Sequence, residues 1–405
     1  MSLPDAAARQ EGQMSLAFLI FLAMMTSVVA LTVDAVLPAI DTISSELAFE
    51  DPNDRHRIVT YVLFGLGASQ LVFGALADSI GRKPTAMIGW GIYITGTLLA
   101  AFSETATALL IGRFLQGFGA GGPRVIGNTL ARDLYQGPAL ARALSLVMTM
   151  FMLVPAVAPL VGQAIEAMLG WRAIFVVYLM LAATSGLWYL LGIDETLDPA
   201  RRRPLRLRPL ALAFREVLTT RQTMACTFAA AFSFGPFIAY LATAQQVFEE
   251  VYDLGHYFPL AFASVAIAFA CATFLNTRVI MSFGMRTCCI WAFSIKLGLA
   301  VCVTLAIWSG FLSGVPPLAI YLGLIGVIFM ATAILVTNLT AAALDPMGHM
   351  AGTAAAVINS VSALLATFLG GQIAGYFQGE VTPLFVGFVL FGSVGLALFL
   401  IGMRK

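Results

Sequence analysis

Four charged side chains fall inside long apolar runs of this 405-residue chain: Asp34, Arg113, Arg124 and Lys296. An ionised group at the centre of a bilayer costs at least about 2.5–3.5 kcal/mol on insertion scales, so each of the four needs a purpose. Asp34 and Arg113 each lie about six residues from the end of their runs, about 9 Å below the membrane surface at the rise of an α-helix. At matching depth, a carboxyl can bind and release a proton, and a nearby guanidinium favours its ionised form. A static buried ion pair is the alternative. Arg124 follows Arg113 by eleven residues, about 20° past three full helical turns, so both project from one face. A second guanidinium there favours an anionic or zwitterionic ligand, while an arginine that only bonds a neighbouring helix is the plainer reading. Gly112, Gly117, Gly119, Gly121, Gly122, Gly127 and Pro123 surround the two arginines, so that run can pack closely and bend. Lys296 is expected to snorkel toward a membrane surface, a place in the cavity being the alternative. Weaker candidates are Asn338 and Asn359 near run centres, Gln245 and Gln246 near a run end, and Phe234, Phe237 and Tyr240 in FSFGPFIAY, which line an apolar pocket or simply pack.

Other chemistries find little support. His56, His256 and His349 stand apart and no H-E-x-x-H occurs; no G-x-x-x-x-G-K-[ST] is present for a nucleotide phosphate. A membrane-embedded enzyme is therefore a remote reading, as is a channel or receptor. Cys226, Cys271, Cys288, Cys289 and Cys302 lack metal-ligand spacing and read as small buried hydrophobes.

The elements that must position these residues follow from composition. Hydrophobic residues make up 60% of the chain and charged ones 11%, against roughly a quarter charged in a soluble domain. Twelve runs are each long enough to cross a hydrocarbon core as helices: 15–40, 56–78, 86–103, 107–131, 140–165, 171–192, 222–247, 257–277, 287–308, 316–341, 351–376 and 383–403. The first run is too long for a cleaved leader, and Asp5 and Glu11 precede it, so it is expected to stay in the protein.

With both termini inside, the inner segments hold Arg9, Arg82, Lys83, Arg132, Arg142, Arg201, Arg202, Arg203, Arg206, Arg208, Arg215, Arg221, Arg278, Arg286, Arg404 and Lys405. The outer ones hold Arg55, Arg57 and Arg172. That asymmetry sets both termini in the cytoplasm. The central basic segment 193–221 divides a six-run bundle (1–192) from a second (222–405). Its arginines are too few and too proline-broken for nucleic acid and read as an orientation signal near anionic lipid. Six plus six is the pattern of an internally repeated secondary transporter. The halves echo each other weakly, DSIGRKP between runs 2 and 3 matching RVIMSFGMRT between runs 8 and 9, without the acid.

The stretch GALADSIGRKP (74–84) places an acid and two bases in a turn. Positive-inside bias explains the bases but not Asp78, nor the small residues Gly74 and Ala77, which admit a close helix. It resembles the G-x-L-x-D-x-x-G-R-K signature of the major facilitator superfamily. TVDAVLPAID (32–41), GRFLQGFGAG (112–121) with ARDLY (131–135), and ALDPMGHMAGTAAAVINS (343–360) look like helices 1, 4 and 11 of its Bcr/CflA-type drug:proton antiporters. The helix 5 antiporter motif G-P-x-x-G-G departs here to VPAVAPLVGQ: Pro155, Pro159 and Gly162 keep a kink, but Ala158 and Gln163 replace two glycines. Ser79 replaces a usually basic residue, and Ala35 and Val36 stand where the subfamily tends to have a bulky residue and Tyr.

The resemblance implies an all-α polytopic membrane protein of twelve helices in two six-helix bundles, and a proton-coupled antiporter for drugs or small organic molecules in a bacterial inner membrane. Its partners are lipid, protons and a small-molecule substrate; it implies a monomer without a cofactor, driven by the proton gradient. Asp34 and Arg113 would couple protons, and Arg124, Gln116, Phe234, Phe237, Tyr240, Asn338 and Asn359 would face the substrate cavity. Gly74, Asp78, Gly81, Arg82 and Lys83, with Arg132, would form a gate joining the cytoplasmic ends of helices 2 and 11. Arg124 and the altered helix 5 motif leave open a transporter, importing included, dedicated to a small organic anion or zwitterion.

Overall fold

A computed structural model describes residues 16–135, 137–202, 207–312 and 314–404; Asp5, Arg9, Glu11, Arg203, Arg206 and Lys405 lie outside them. The described residues form fourteen α-helices and no strand. Twelve coincide with the twelve apolar runs: α1 (Leu16–Asp34), α3 (Arg57–Ile80), α4 (Arg82–Ala101), α5 (Ala106–Leu134), α6 (Gly137–Leu169), α7 (Trp171–Gly192), α9 (Arg221–Gln246), α10 (Phe258–Phe283), α11 (Met285–Trp308), α12 (Leu318–Leu344), α13 (Ala351–Ala374) and α14 (Thr382–Gly402). The short α2 (Ile40–Glu46) continues from α1, and α8 (Leu207–Thr219) lies in the central linker. Eight helical stretches, one of them joining α12 and α13, are long and apolar enough to cross a membrane by length and composition. Neither α4 nor α5 is among them, because both carry polar side chains that face protein: Thr85, Tyr93, Thr97, Arg113 and Gln116 are all buried.

The chain separates into two compact units, Met1–Ala48 with Tyr61–Leu207, and Phe49–Thr60 with Arg208–Lys405. The short segment 49–60 joins the second unit because Arg55 pairs with Glu250, and because Thr60 and His56 lie against Gly371 and Gly375 of α13. In the first unit α1 packs on α6, α5 and α7, while α4 packs on α5 and α7. The second repeats these pairings, with α9 on α13, α12 and α14, and α11 on α12 and α14. The echoed turns also match in conformation, since Gly81 (φ +112°) precedes α4 and Gly284 (φ +76°) precedes α11, a backbone region that favours glycine.

Close packing of α4 on α5 rests on missing side chains. A Cβ on Gly119 would stand 2.3 Å from the Tyr93 nitrogen, and one on Gly112 2.7 Å from the Ala100 nitrogen. Two sequence expectations change here. Cys226, Cys288 and Cys289 are buried, but Cys271 and Cys302 are exposed on outward helix faces, where membrane rather than protein keeps a small apolar side chain from water. Lys296 does not snorkel: it is fully buried, because its Nζ finds a carbonyl acceptor inside the unit.

Candidate functional site

The end of α1 is set by Pro38. A proline removes the N–H that Asp34 O would accept and disfavours helical backbone at the preceding residue, so α1 stops at Asp34 and a tight turn, Leu37–Ala39, follows. The carbonyls of the last turn then need other donors. Arg113, fully buried on α5, donates from Nη2 to Thr32 O at 2.8 Å and from Nη1 to Gln116 Oε1 at 2.6 Å. Tyr178 on α7 donates to Leu31 O at 2.8 Å, an oxygen that also accepts the Ala35 N–H. A guanidinium at a helix C-terminus also meets the negative end of the helix dipole.

The network continues into α4. Gln116 Nε2 donates to Thr97 Oγ1 at 2.9 Å. Thr32 directs its hydroxyl proton to Val28 O at 2.6 Å, so it accepts from Tyr93 OH, 2.7 Å away. The Arg113 guanidinium carbon lies 5.8 Å from the centroid of Phe175, within cation–π range. Three helices, α4, α5 and α7, therefore converge on the broken end of α1. Gly162 of α6 closes it from another side: a Cβ there would stand 1.8 Å from Ala35 O, so only glycine fits. Pro159 and Pro155 lie in the same helix, about one and two turns earlier.

Asp34 sits inside this construction, 4% exposed, and belongs to no ion pair among the described residues. In place of the static Asp34–Arg113 ion pair, the alternative reading, the guanidinium bonds Gln116 and Thr32, because the interrupted helix offers it a carbonyl. Arg124, half-buried beside Pro123, lies further along α5.

A second constellation occupies the turn between α3 and α4. Arg82 donates from Nη1 to Asp78 Oδ1 at 2.6 Å and from Nε to Asp133 Oδ2 at 3.2 Å; Thr196 Oγ1 reaches the same Asp133 oxygen at 3.0 Å. Glu195, three residues past α7, covers the start of α4. Its Oε1 accepts the backbone N–H of Arg82 (2.8 Å) and of Leu197 (2.9 Å), and its Oε2 accepts that of Lys83 (3.0 Å). A carboxylate there satisfies orphan donors and favours the positive end of the dipole. Gly81 is required twice, for its positive φ and because a Cβ would stand 2.4 Å from Glu195 Oε2.

Arg132, expected in this gate, is exposed and takes no part in the ion pairs of the described residues; the helical turn instead presents Asp133 to Arg82. Gly74 lies one turn before Asp78 on α3. Sequence reasoning missed Asp133 and Glu195. Asp133 was visible as the acid in ARDLY, whereas Glu195 lies 113 and 112 positions from the N–H groups of Arg82 and Lys83 that it caps, with no local signal.

In the second unit, Phe234 and Phe237 stack at 4.7 Å between centroids and remain half-buried. Phe237 also meets Phe269 and Phe329 at 5.2 and 4.8 Å. Tyr240 is buried against Phe329, Phe262 and Phe248, a packing position. Asn338 donates to Asn276 Oδ1 at 3.1 Å, clamping α12 to α10. Asn359 is half-buried on α13, and Gln245 donates to Glu249 at 2.7 Å. Both amide atoms of Gln246 are buried without a hydrogen-bond partner.

The comparisons agree with this architecture. The "Bicyclomycin resistance protein homolog" of Haemophilus influenzae is 27% identical over 375 residues, 91% of each chain. "Multidrug resistance protein D" of Escherichia coli is 30% identical over 212 residues, 52% of this chain and 51% of that one. The crystal structure of a D-xylose–proton symporter shares the fold, with a TM-score of 0.73 at 14% identity over 96% of this chain and 98% of that one. The family model of the Major Facilitator Superfamily matches residues 15–371, and the chain is a multi-pass membrane transporter belonging to that superfamily.

Proposed function

We propose that the protein exports small organic molecules, drugs among them, in exchange for protons, by alternating access. The observation that carries this reading is Asp34: a buried carboxyl at a helix break, outside every ion pair of the described residues, beside an arginine already bonded to Thr32 and Gln116. Such a group can take up and release a proton without dismantling a salt bridge. The stacked, half-buried Phe234 and Phe237 suit apolar or aromatic substrates, and the names of the relatives support drug efflux. The charge asymmetry supports both termini in the cytoplasm, and the bacterial relatives support an inner membrane. We assign no cofactor, the proton gradient supplying the energy, and a monomer as the working unit. Arg124 favours a second reading, transport of a small organic anion, because it shares the Arg113 face of α5 and is half-buried.

The test is the tolerance of an efflux-deficient bacterium expressing the wild type, Asp34→Asn or Arg124→Ala. Resistance to apolar antibiotics that vanishes with Asp34→Asn is the expected result. Tolerance to no drug, but altered handling of an organic acid that depends on Arg124, replaces drug export with the second reading.

A further inference from the structure

The chain has 19 arginines and three lysines: Lys83 in the α3–α4 turn, Lys405 at the end, and Lys296 in the middle of α11. The cation buried within the second unit is thus drawn from its rarer type, and the two types differ in one respect that matters here. A guanidinium keeps its proton in proteins, whereas an ε-ammonium can lose it.

Lys296 is fully buried; its Nζ donates to the carbonyl of Ser233 on α9 at 2.6 Å and lies 5.2 Å from the centroid of Phe388 on α14. One lysine therefore ties three helices. Among the described residues, no carboxylate lies on α9, α10, α11, α12 or α14. The titratable or charged groups on these helices are Arg221, Cys226 and Tyr240 on α9, Cys271 and Arg278 on α10, Arg286, Cys288, Cys289 and Cys302 on α11, and Tyr321 on α12, with none on α14. The ammonium is balanced by a carbonyl dipole and a ring face alone.

The place where the bond lands matters as much. Ser233 precedes Pro236 by three residues, in the turn where proline has removed a backbone donor and loosened the helix. Phe234 and Phe237, the half-buried stacked pair, flank that turn. Ser233 Oγ, next to the bonded carbonyl, is buried without a partner. The repeat supplies an independent argument. Lys296 stands twelve residues after the turn glycine Gly284, as Tyr93 stands twelve after Gly81. Tyr93 reaches across to α1 at Thr32, two residues from Asp34; Lys296 reaches across to α9, the helix that occupies the place of α1 in the second unit. At one position of the repeat, the first unit carries a hydroxyl bonded to Thr32 and the second carries a titratable amine.

We propose that Lys296 is a second proton-carrying group of the transport cycle, its protonated form fastening α9 at Ser233 and its neutral form releasing the turn that carries Phe234 and Phe237. The proposal rests on the proton-driven reading above. A charge-assisted hydrogen bond is roughly twice as strong as a neutral one, so loss of the proton weakens the tie at the point where α9 is already interrupted.

With three lysines in the chain, the measurement is direct. The full-length protein, labelled with ¹³C at the lysine ε-carbon and held in nanodiscs, is titrated by NMR, with Lys296→Met to assign the resonance. In parallel, proteoliposomes report ethidium transport and the accompanying proton movement for wild type, Lys296→Met and Lys296→Arg. The Lys296 resonance is expected to shift over the pH interval in which ethidium transport changes. Both variants are expected to carry fewer protons per ethidium while keeping the wild-type elution profile. Lys296→Arg retains a donor for Ser233 but not a removable proton, so it separates the two roles even where Lys296→Met does not fold. A resonance that stays fixed through that interval, or wild-type proton movement in Lys296→Arg, would overturn the proposal and leave Lys296 a structural tie. Ethidium transport by the wild type with no proton movement would overturn proton coupling as a whole, this proposal included.

Discussion

Removing the Glu195 side chain is expected to destabilise the first unit and loosen the turn between α3 and α4. Glu195→Ala strips acceptors from three backbone N–H groups, those of Arg82, Lys83 and Leu197. Loss of a capping side chain costs about 0.5–2 kcal/mol. Loss of an anion at a helix N-terminus adds about 0.3–1 kcal/mol. The bonds lie in a half-buried turn, where water replaces them incompletely, so the sum should fall near 2 kcal/mol. For a unit of this size, that corresponds to a melting temperature lower by about 4–8 °C. Glu195→Gln keeps the shape and one acceptor oxygen and should lose about half as much. Because a carboxylate in this position also fixes where α4 begins, Arg82 should swing more freely between Asp78 and Asp133, and transport should fall along with stability. The assay is tryptophan-fluorescence melting of the purified protein, which has five tryptophans, beside ethidium efflux from cells. A Glu195→Ala protein melting within a degree of wild type would refute the capping argument.

The Arg82–Arg132 distinction is testable in the same assays: Arg82→Ala breaks two ion pairs and should abolish most transport, whereas Arg132→Ala, an exposed change, should leave melting and efflux near wild type. Gly162→Ala puts a methyl within 1.8 Å of Ala35 O; it should push α6 from the end of α1 and reduce efflux more than Gly127→Ala, whose Cβ meets nothing within 4 Å. Asn276→Ala and Asn338→Ala each orphan a buried amide, costing about 1–3 kcal/mol. The double change should cost less than the sum of the two, and a fully additive pair would mean that the bond contributes nothing.

The helices were legible in the sequence because hydrocarbon thickness imposes their length: α7 spans 171–192, as its apolar run does, and α11 begins at Met285 against an expected 287. The turn between α3 and α4 was legible too, since GALADSIGRKP concentrates charge and glycine where apolar residues otherwise dominate. The partners in each constellation were not. Matching depth placed Arg113 beside Asp34, but the choice of Thr32 O over the carboxylate depends on a carbonyl left open where α1 ends, which depth alone does not reveal. Tyr93 and Thr97 were available as polar residues inside an apolar run, and their shared depth with Arg113 could have marked them. The burial of Lys296 followed from no periodicity, because its acceptor is a backbone atom on another helix, and a sequence does not display backbone acceptors.

The interrupted end of α1 has a consequence for the order of events in the proposed cycle. Arg113 is fastened to Thr32 and Gln116, so a proton reaching Asp34 has no guanidinium to dislodge and no helix to shift. Once water reaches Asp34, exchange there breaks no ion pair and asks only for local side-chain motion, whereas collective movements of helices and domains take microseconds to milliseconds. Protonation can therefore equilibrate many times over before each slow movement. The transporter then responds to the average occupancy of Asp34, so that its turnover follows the ambient proton concentration smoothly and not the arrival of any single proton.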